Sequence, residues 1–251
     1  GEIQLENPLT GLKYVNNKIS QLSTKNEKEI IVGPNDLVIS TIPITLLGKF
    51  LHIDTNLEFR GIASVYVSIK KDKINWPKGL NWLYFDFKDY CFNRITNSTS
   101  LSNHVSPPDE VLITIESTYS KNDSIDSLSK ESLENLVIDQ IVKAKLINSK
   151  NEVIFKSSNK EPFVYPLQYP GYQLDLAKLK SRIDNFNNLY SIGTGGDFNY
   201  ADSQVIFYKA YDLVEIIDQK DSSLNQTKKV DNIRSFKKEF HIGGQNVGGE
   251  N

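Results

Sequence analysis

The chain has 251 residues, of which 39% are hydrophobic and 24% charged, which predicts a folded protein with one large domain or two small ones. Its formal net charge is −2, and no block of like charge occurs. We therefore expect neither nucleic acid nor an anionic membrane to be the main partner. No apolar run approaches the roughly 18 residues of a membrane span, and no signal peptide is visible. The single cysteine, Cys91, excludes an internal disulfide and favours a reducing, cytoplasmic location.

The first 45 residues predict short strands. Ile3 and Leu5 alternate with polar neighbours, and residues 18–24 and 29–32 flank a polar turn, which indicates a hairpin. Residues 37–41 form an apolar run of the kind that is buried on both faces of a sheet. A short helix is expected over residues 44–51.

The middle of the chain is rich in predicted strands, at residues 60–70, 80–87, 111–117 and 153–155. Residues 129–146 form the clearest helix, because Ser129 can cap it and apolar residues recur on one face. The composition therefore predicts a β-rich region with helices packed on it.

A linker rich in proline and tyrosine follows at residues 162–172. The pattern then predicts a helix at residues 176–186, a strand at 189–192 and a helix at 202–217. Residues 218–251 turn polar and predict a mobile tail, with one short helical piece around residues 233–240.

Metal and nucleophile chemistry find no support in the sequence. The histidines, His52, His104 and His241, are scattered, and no spacing of His, Cys and carboxylates fits a metal site. GxSxG is absent, and Cys91 lies in an apolar, aromatic strand context that indicates a structural role. No catalytic residue is predicted.

Three features could bind a ligand. The stretch SIGTGGDFNYADSQ, residues 191–204, is a strand, glycine turn and helix of the kind that approaches phosphates, although glycine turns are common without a ligand. Arg94 is either a solvated edge charge or a binding residue. The tyrosines Tyr165, Tyr169 and Tyr172 either pack a linker or line a pocket for a sugar or nucleotide.

The order of these pieces resembles a flavoprotein superfamily, the FAD-dependent amine oxidases and UDP-galactopyranose mutases. The segments that carry the resemblance are NDLVISTIPITLLGKFL, NWLYFDFKDYCFNRITNSTSLS and KEPFVYPLQYPGYQLDLAKLKSRIDNFNNLYSIGTGGDFNYADSQ. It covers roughly residues 15–215 and depends on their order more than on any single motif.

The resemblance implies an α/β (α+β) fold with a mixed sheet. Residues 1–45 and 187–217 would be the remnant of an FAD-binding layer, and residues 46–186 a β-rich substrate domain with packed helices. The sequence has no G-x-G-x-x-G, so it is similar to the C-terminal two-thirds of such a protein. FAD is therefore expected in the complete protein and not on this chain alone, with a missing N-terminal nucleotide-binding segment as a partner.

By position, the resemblance assigns roles to individual residues. Those expected near the flavin are Gly193, Gly195, Gly196, Phe198, Tyr200, Asp202 and Gln204. Those expected to face a small-molecule substrate are Arg94, Lys160, Tyr165 and Tyr172. Lys160 stands where the mutase-like branch has arginine, and a lysine lacks the bidentate fork that grips a diphosphate.

Three functions follow. The first is a flavin-dependent enzyme, or a fragment of one, of the mutase-like branch that acts on a sugar nucleotide or related molecule as an isomerase. The second is an oxidoreductase that abstracts hydride as amine oxidases do. It is favoured by the loss of two arginines of the mutase-like branch, which Lys160 and Thr194 replace here. The third is a non-catalytic module that binds a ligand or partner without flavin.

Overall fold

The computed structural model describes residues 1–26, 29–86 and 88–223 of the chain. These residues fall into two compact units, residues 1–201 and the residues from Asp202 onward. The predicted helical piece at residues 233–240 and most of the predicted tail lie outside the described residues, as does Phe87 of the predicted strand at residues 80–87.

Within this part of the chain the strands are β1 (Leu9–Val15), β2 (Lys18–Thr24), β3 (Glu29–Ile31), β4 (Val38–Ser40), β5 (Phe59–Lys70), β6 (Trp82–Tyr84), β7 (Arg94–Asn97), β8 (Glu110–Tyr119), β9 (Val153–Pro166) and β10 (Leu189–Ser191). The helices are α1 (Ile44–Phe50), α2 (Ser98–Leu101), α3 (Lys130–Lys143), α4 (Tyr172–Ile183), α5 (Gly193–Gly196) and α6 (Ser203–Ser223), and a 3₁₀ turn spans Lys150–Glu152. The predicted α/β fold class is confirmed.

An antiparallel five-stranded sheet in the order β6-β7-β8-β5-β9 dominates the first unit. Its long central strands pair in register from Gly61 opposite Tyr119 to Lys70 opposite Glu110. Alternate side chains are fully buried, and they belong to a core that α3 completes with Leu133, Val137 and Ile141. The alternation of β5 and β8 produces this result, since successive side chains of a strand point to opposite faces. The face of the sheet away from this core is called the open face below.

A second core joins β2, α1, α4 and β10. Its fully buried members include Ile19, Leu47, Leu179 and Phe198, whose side chains are each 1% exposed. Two small sheets border it, one in the order β1-β2-β3 and one in which β4 and β10 run parallel. The first unit therefore has one core under the large sheet and one under the two small sheets.

The N-terminal strand prediction is partly wrong. Strands β2 and β3 form the expected antiparallel hairpin. Ile3 and Leu5, however, lie outside any strand and are 84% and 81% exposed, and the first strand is instead β1. Alternation over residues this few does not make a strand without a neighbour to pair with.

The strand over residues 37–41 is not buried on both faces as predicted. Val38 and the β10 residue Leu189 face the second core, whereas Leu37 and Ile39 are 43% and 52% exposed. Parallel sheets are ordinarily covered on both faces, and here helices cover one face only.

Strand β9 is much longer than the predicted strand at residues 153–155. It runs to Pro166 and passes through Pro162. Proline is tolerated because β9 is the edge of the five-stranded sheet, where a missing N–H breaks no ladder hydrogen bond. The predicted linker is thereby reduced to residues 167–171.

The helix predictions are confirmed with shifted ends. Ser129 caps α3, and its side chain accepts a hydrogen bond from the N–H of Ser132. Helix α4 begins at Tyr172, four residues before the predicted stretch, and follows Gly171 in the left-handed conformation with a φ of 89°. Among the described residues, no helix combines the length and the hydrophobicity that a membrane crossing requires.

Candidate functional site

The open face brings distant parts of the sequence together. Arg94 on β7 is paired with Glu116 on β8, and Glu116 stands opposite Ser64 on β5. At the far strand, Tyr165 on β9 is paired with Arg60 of β5. Since directly paired residues share a face, the open face carries Arg94, Glu116 and Tyr165 at one end.

The pair of Arg94 and Glu116 is the strongest polar contact of this face. The Nη2–H of Arg94 donates to Oε1 of Glu116 at 2.7 Å, and its Nε–H donates to Oε2 of the same carboxylate. The side chain of Glu116 is only 14% exposed and that of Arg94 38%. This hydrogen bond raises the pKa of the Arg94 guanidinium above its ordinary value. The arginine is therefore a fixed cation whose charge a carboxylate already neutralises.

Two tyrosine rings contact each other at a tilt beside this ion pair. The rings of Tyr165 and Tyr200 lie with their centroids 4.8 Å apart and their planes at 53°. Tyr84, which is 70% exposed, is paired with Arg94 on the neighbouring strand and hydrogen-bonds to it. We call Tyr84, Arg94, Glu116, Tyr165 and Tyr200 the tyrosine–arginine cluster. It offers flat aromatic faces, hydroxyl groups and a paired arginine to a ligand.

The hydroxyl of Tyr165 is held in its neutral form. Burial raises its pKa above the ordinary value, and the neighbouring Tyr200 adds to the increase. The charge of Arg94 acts in the opposite direction and only partly offsets these effects. Tyr165 therefore has a proton to donate at neutral pH.

The structure places Lys160 on the opposite face of the sheet from Arg94. Lys160 is paired with Ala63, a residue of the first core, and its Nζ donates to the backbone carbonyls of Asp126 and Leu128 at 2.8 Å each. The ammonium also lies 5.9 Å from the ring centroid of Tyr119. Lys160 and Arg94, both predicted to face the substrate, are thus not brought together.

Tyr172 and Phe198 lie in the second core. Phe198 is 1% exposed and packs edge-on against Phe59 with ring centroids 5.0 Å apart. Tyr172 is half-buried, and its ring centroid is 6.0 Å from that of Phe198. Phe198 also has a φ of 54°, which is unusual for an aromatic residue. Both rings contact the chain's own apolar residues.

The glycine turn packs on the chain's own backbone. A Cβ at Gly195 would lie 3.2 Å from the nitrogen of Pro43, and one at Gly196 would lie 3.3 Å from the carbonyl oxygen of Ser40 and 2.9 Å from the hydroxyl of Ser191. Gly193 differs, because it has a φ of 91° and its Cβ position faces open space. Two of the glycines thus allow β10 and α5 to approach β4, and Gly193 is needed for its backbone conformation.

Asp202 and Gln204 belong to the second unit. The Nε2–H of Gln204 donates to Oδ2 of Asp202 at 3.3 Å, and the Asp202 carbonyl accepts from the N–H groups of Val205 and Ile206 at the start of α6. The structure therefore shows these two predicted flavin-side residues at the beginning of a helix and close to one another.

The described residues do not form a cradle for the diphosphate of FAD. The sequence has no glycine-rich turn after a first strand to cradle a diphosphate. Near the glycine turn, the Ser40 hydroxyl is buried and has no hydrogen-bond partner among the described residues. Across residues 1–26, 29–86 and 88–223, no group of three or more His, Cys, Asp or Glu residues could hold a metal ion.

Sequence reasoning missed Glu116 and Tyr84. The alternation of residues along the strands could have identified them. Glu116 occupies a position of β8 whose side chain points away from the core, and Tyr84 lies in the aromatic strand that pairs with Arg94. Glu116 matters most, because it changes Arg94 from an unpaired cation into half of an ion pair.

Comparison with known proteins agrees with this architecture. No protein-family model matches the chain, and no curated protein matches it. Among solved structures, a reduced UDP-galactopyranose mutase aligns with 72% of this chain and 39% of its own length, at 19% identity and a TM-score of 0.59. A putative protoporphyrinogen oxidase from Exiguobacterium sp. 255-15 aligns with 77% of this chain and 43% of its own, at 19% identity and a TM-score of 0.58. The chain is similar in fold to these two structures and spans about two fifths of their length.

Proposed function

We propose that this chain is the substrate-binding part of a flavin-dependent enzyme. The observation that carries the proposal is the tyrosine–arginine cluster on the open face, because it places an ion pair and two contacting tyrosine rings on one side of an antiparallel sheet. Such a face binds and orients a small molecule. When bound, the flavin supplies the redox chemistry that side chains cannot.

Within that class, the Arg94–Glu116 pair favours an oxidoreductase. A second cation of this face, Arg60, is paired with Tyr165 and donates to the Thr118 hydroxyl at 3.1 Å. Arg94 is neutralised by Glu116, and the Lys160 ammonium is bonded to backbone carbonyls on the opposite face of the sheet. A diphosphate would have to compete with a half-buried carboxylate for Arg94. A substrate with little negative charge meets no such competition. The chain's own contribution is then to exclude water, to orient the substrate against tyrosine rings and to hold a proton on Tyr165.

The second candidate is a mutase-like enzyme for a sugar nucleotide. One observation favours it: the bonds to Glu116 use Nε and Nη2 of Arg94, so the N–H groups on Nη1 lie outside this pair. Those donors, the Tyr84 hydroxyl and the rings of Tyr165 and Tyr200 are groups that recognise a sugar and a base.

One face of the small parallel sheet is exposed, which supports a flavin site formed jointly by this chain and a second polypeptide segment. Leu37 and Ile39 expose one face of the β4–β10 sheet, although parallel sheets are ordinarily covered on both faces. We propose that a nucleotide-binding unit, supplied by the same protein or by a partner, covers this face and holds the FAD diphosphate. On this proposal the chain alone binds FAD weakly or not at all.

The two candidates are separated by the fate of their substrates in the flavin-loaded protein. Reduction of the flavin by an amine under anaerobic conditions supports the oxidoreductase, and isomerisation of a UDP-sugar after chemical reduction of the flavin supports the mutase. If the flavin-loaded protein carries out neither reaction, the result favours a module that binds without catalysis. Arg94→Ala is expected to weaken binding of the active substrate more than tenfold. Arg182→Ala on α4 is the matched control and should leave that binding unchanged.

A further inference from the structure

We infer that the end of the open face away from the tyrosine–arginine cluster is a second subsite, which takes an apolar or aromatic group of the substrate. A cavity of about 340 Å³ lies there. Its lining includes Tyr66 of β5, Leu112 of β8, Phe155 of β9 and Val105 from the loop before β8. Assigning the bound group to the substrate rests on the function proposed above, whereas the binding itself does not.

Strand pairing explains why these side chains meet. Ser68 is directly opposite both Leu112 and Phe155, and Tyr66 is the next residue of β5 on that face. Phe155 and Val105 are 56% and 44% exposed, so this apolar surface is accessible to a ligand. Together with Tyr66 and Leu112, these residues give the cavity an apolar lining on the surface of strands β5, β8 and β9.

Polar groups of the cavity are already bonded to other residues of the chain. The Ser68 hydroxyl donates to Oε2 of Glu110 at 2.5 Å, and the Lys70 ammonium lies 3.5 Å from Oε1 of the same carboxylate. None of the cavity-lining residues is a lysine or an arginine. The Lys130 ammonium reaches the lining residue Ser157 at 3.4 Å, so the two nearby lysines are already bonded to lining residues. The lining itself therefore carries no cation, and it favours an uncharged apolar group.

The two subsites are joined by a strip of small side chains. Ser64 and Thr114 lie on the open face between the two ends, and Thr114 is hydrogen-bonded to Ser98 at 2.8 Å. Leu112 and Glu116 are four residues apart on β8, a separation of about 13 Å in a strand. The geometry points to an elongated substrate with a polar reacting end at the tyrosine–arginine cluster and an apolar group at Phe155.

The probe for this subsite is N-phenyl-1-naphthylamine, an uncharged aromatic amine that fluoresces in apolar surroundings. With the full chain we expect saturable binding, which Phe155→Asp weakens at least tenfold. A second variant, Leu112→Asn, is expected to weaken it as well, and circular dichroism shows whether each variant is folded. Leu174→Asp is the matched control, because Leu174 is 70% exposed on α4 and lies outside the cavity.

The outcomes separate this inference from the proposed function. Unchanged probe binding in folded Phe155→Asp, or an equal loss in Leu174→Asp, would overturn the subsite. Arg94→Ala is expected to leave probe binding intact, because it acts at the other end of the face. If the probe binds as expected and the protein carries no flavin, the proposed function fails while the apolar subsite stands. If the flavin-loaded protein turns over a substrate that lacks the apolar group with the same kcat/KM as one that carries it, the assignment of this subsite to the substrate is wrong.

Discussion

Arg94 and Glu116 face each other across β7 and β8, with Nη2 of the arginine 2.7 Å from Oε1 of the glutamate. The carboxylate is 14% exposed, so water cannot fully replace the arginine as its partner. This pair sets the charge of the proposed substrate site, and its strength can be measured without any ligand.

Arg94→Ala should destabilise the fold by about 2–3 kcal/mol, because it leaves a half-buried carboxylate without its charged donor. Removing both partners in Arg94→Ala/Glu116→Ala should cost less than the sum of the two single changes. Urea unfolding of the four proteins measures this coupling. The control is the same cycle on the Lys150–Asp139 pair, with Lys150→Ala, Asp139→Ala and the double variant. Its side chains are 60% and 52% exposed, so its coupling should be about 0.5 kcal/mol or less. A coupling no larger than that of the control would show that Arg94 is not a fixed member of the site.

Gly195→Ala should destabilise the first unit by about 1–3 kcal/mol, because the new methyl group would meet the backbone of Pro43 at 3.2 Å. Gly11→Ala is the matched control, since nothing lies within 4 Å of its Cβ position. Thermal unfolding of both variants checks the prediction. If the two variants had equal stability, the glycine turn would not be packed on the β4–α1 connection.

Phe198→Ala should cost about 3–5 kcal/mol, because it removes a ring that is 1% exposed in the second core. Phe207→Ala on α6 is the control, since that ring is 68% exposed and its loss should change stability by about 0.5 kcal/mol or less. Chemical unfolding compares them. A small effect at Phe198 would mean that its ring is available to a cofactor and does not hold the core together.

Cys91 should react slowly with iodoacetamide in the folded protein. Burial raises the pKa of its thiol to about 11, so at about pH 8 the native thiolate is roughly 100-fold scarcer than in the unfolded chain. Because the folded pKa is the higher one, this thiol's contribution to stability is present below the unfolded pKa and is lost as the pH rises from about 9 to about 11. Native alkylation as fast as in denaturing urea would contradict the burial. In Cys91→Ala, the free energy of unfolding should fall less between about pH 9 and about pH 11 than in the unchanged protein.

The strands of the large sheet were predictable because local pattern and tertiary role agree. Alternation in β5 and β8 identifies the buried face, and the capping serine Ser129 marks the start of α3. The full length of β9 was not predictable, since Pro162 is allowed only by the strand's position at the sheet edge, which no local pattern reveals.

The candidate site was predictable in part. Arg94, Tyr165 and Tyr200 were identified from the sequence, and the structure brings them to one end of the open face. Lys160 lies on the other face because strand pairing sets its parity, and that parity depends on register with β5. Glu116 was missed for the same reason, since only the pairing of β7 with β8 shows that it opposes Arg94.

The most direct test of the central claim is the flavin content of the protein isolated from its natural source, with any attached or associated polypeptide retained. We predict about one flavin per chain, visible as an absorption band near roughly 450 nm that shifts when a substrate binds. The same band should respond less to substrate in Arg94→Ala than in the Arg182→Ala control. A colourless protein that binds no added FAD, isolated with all its associated segments, would contradict the claim that this chain forms part of a flavoenzyme.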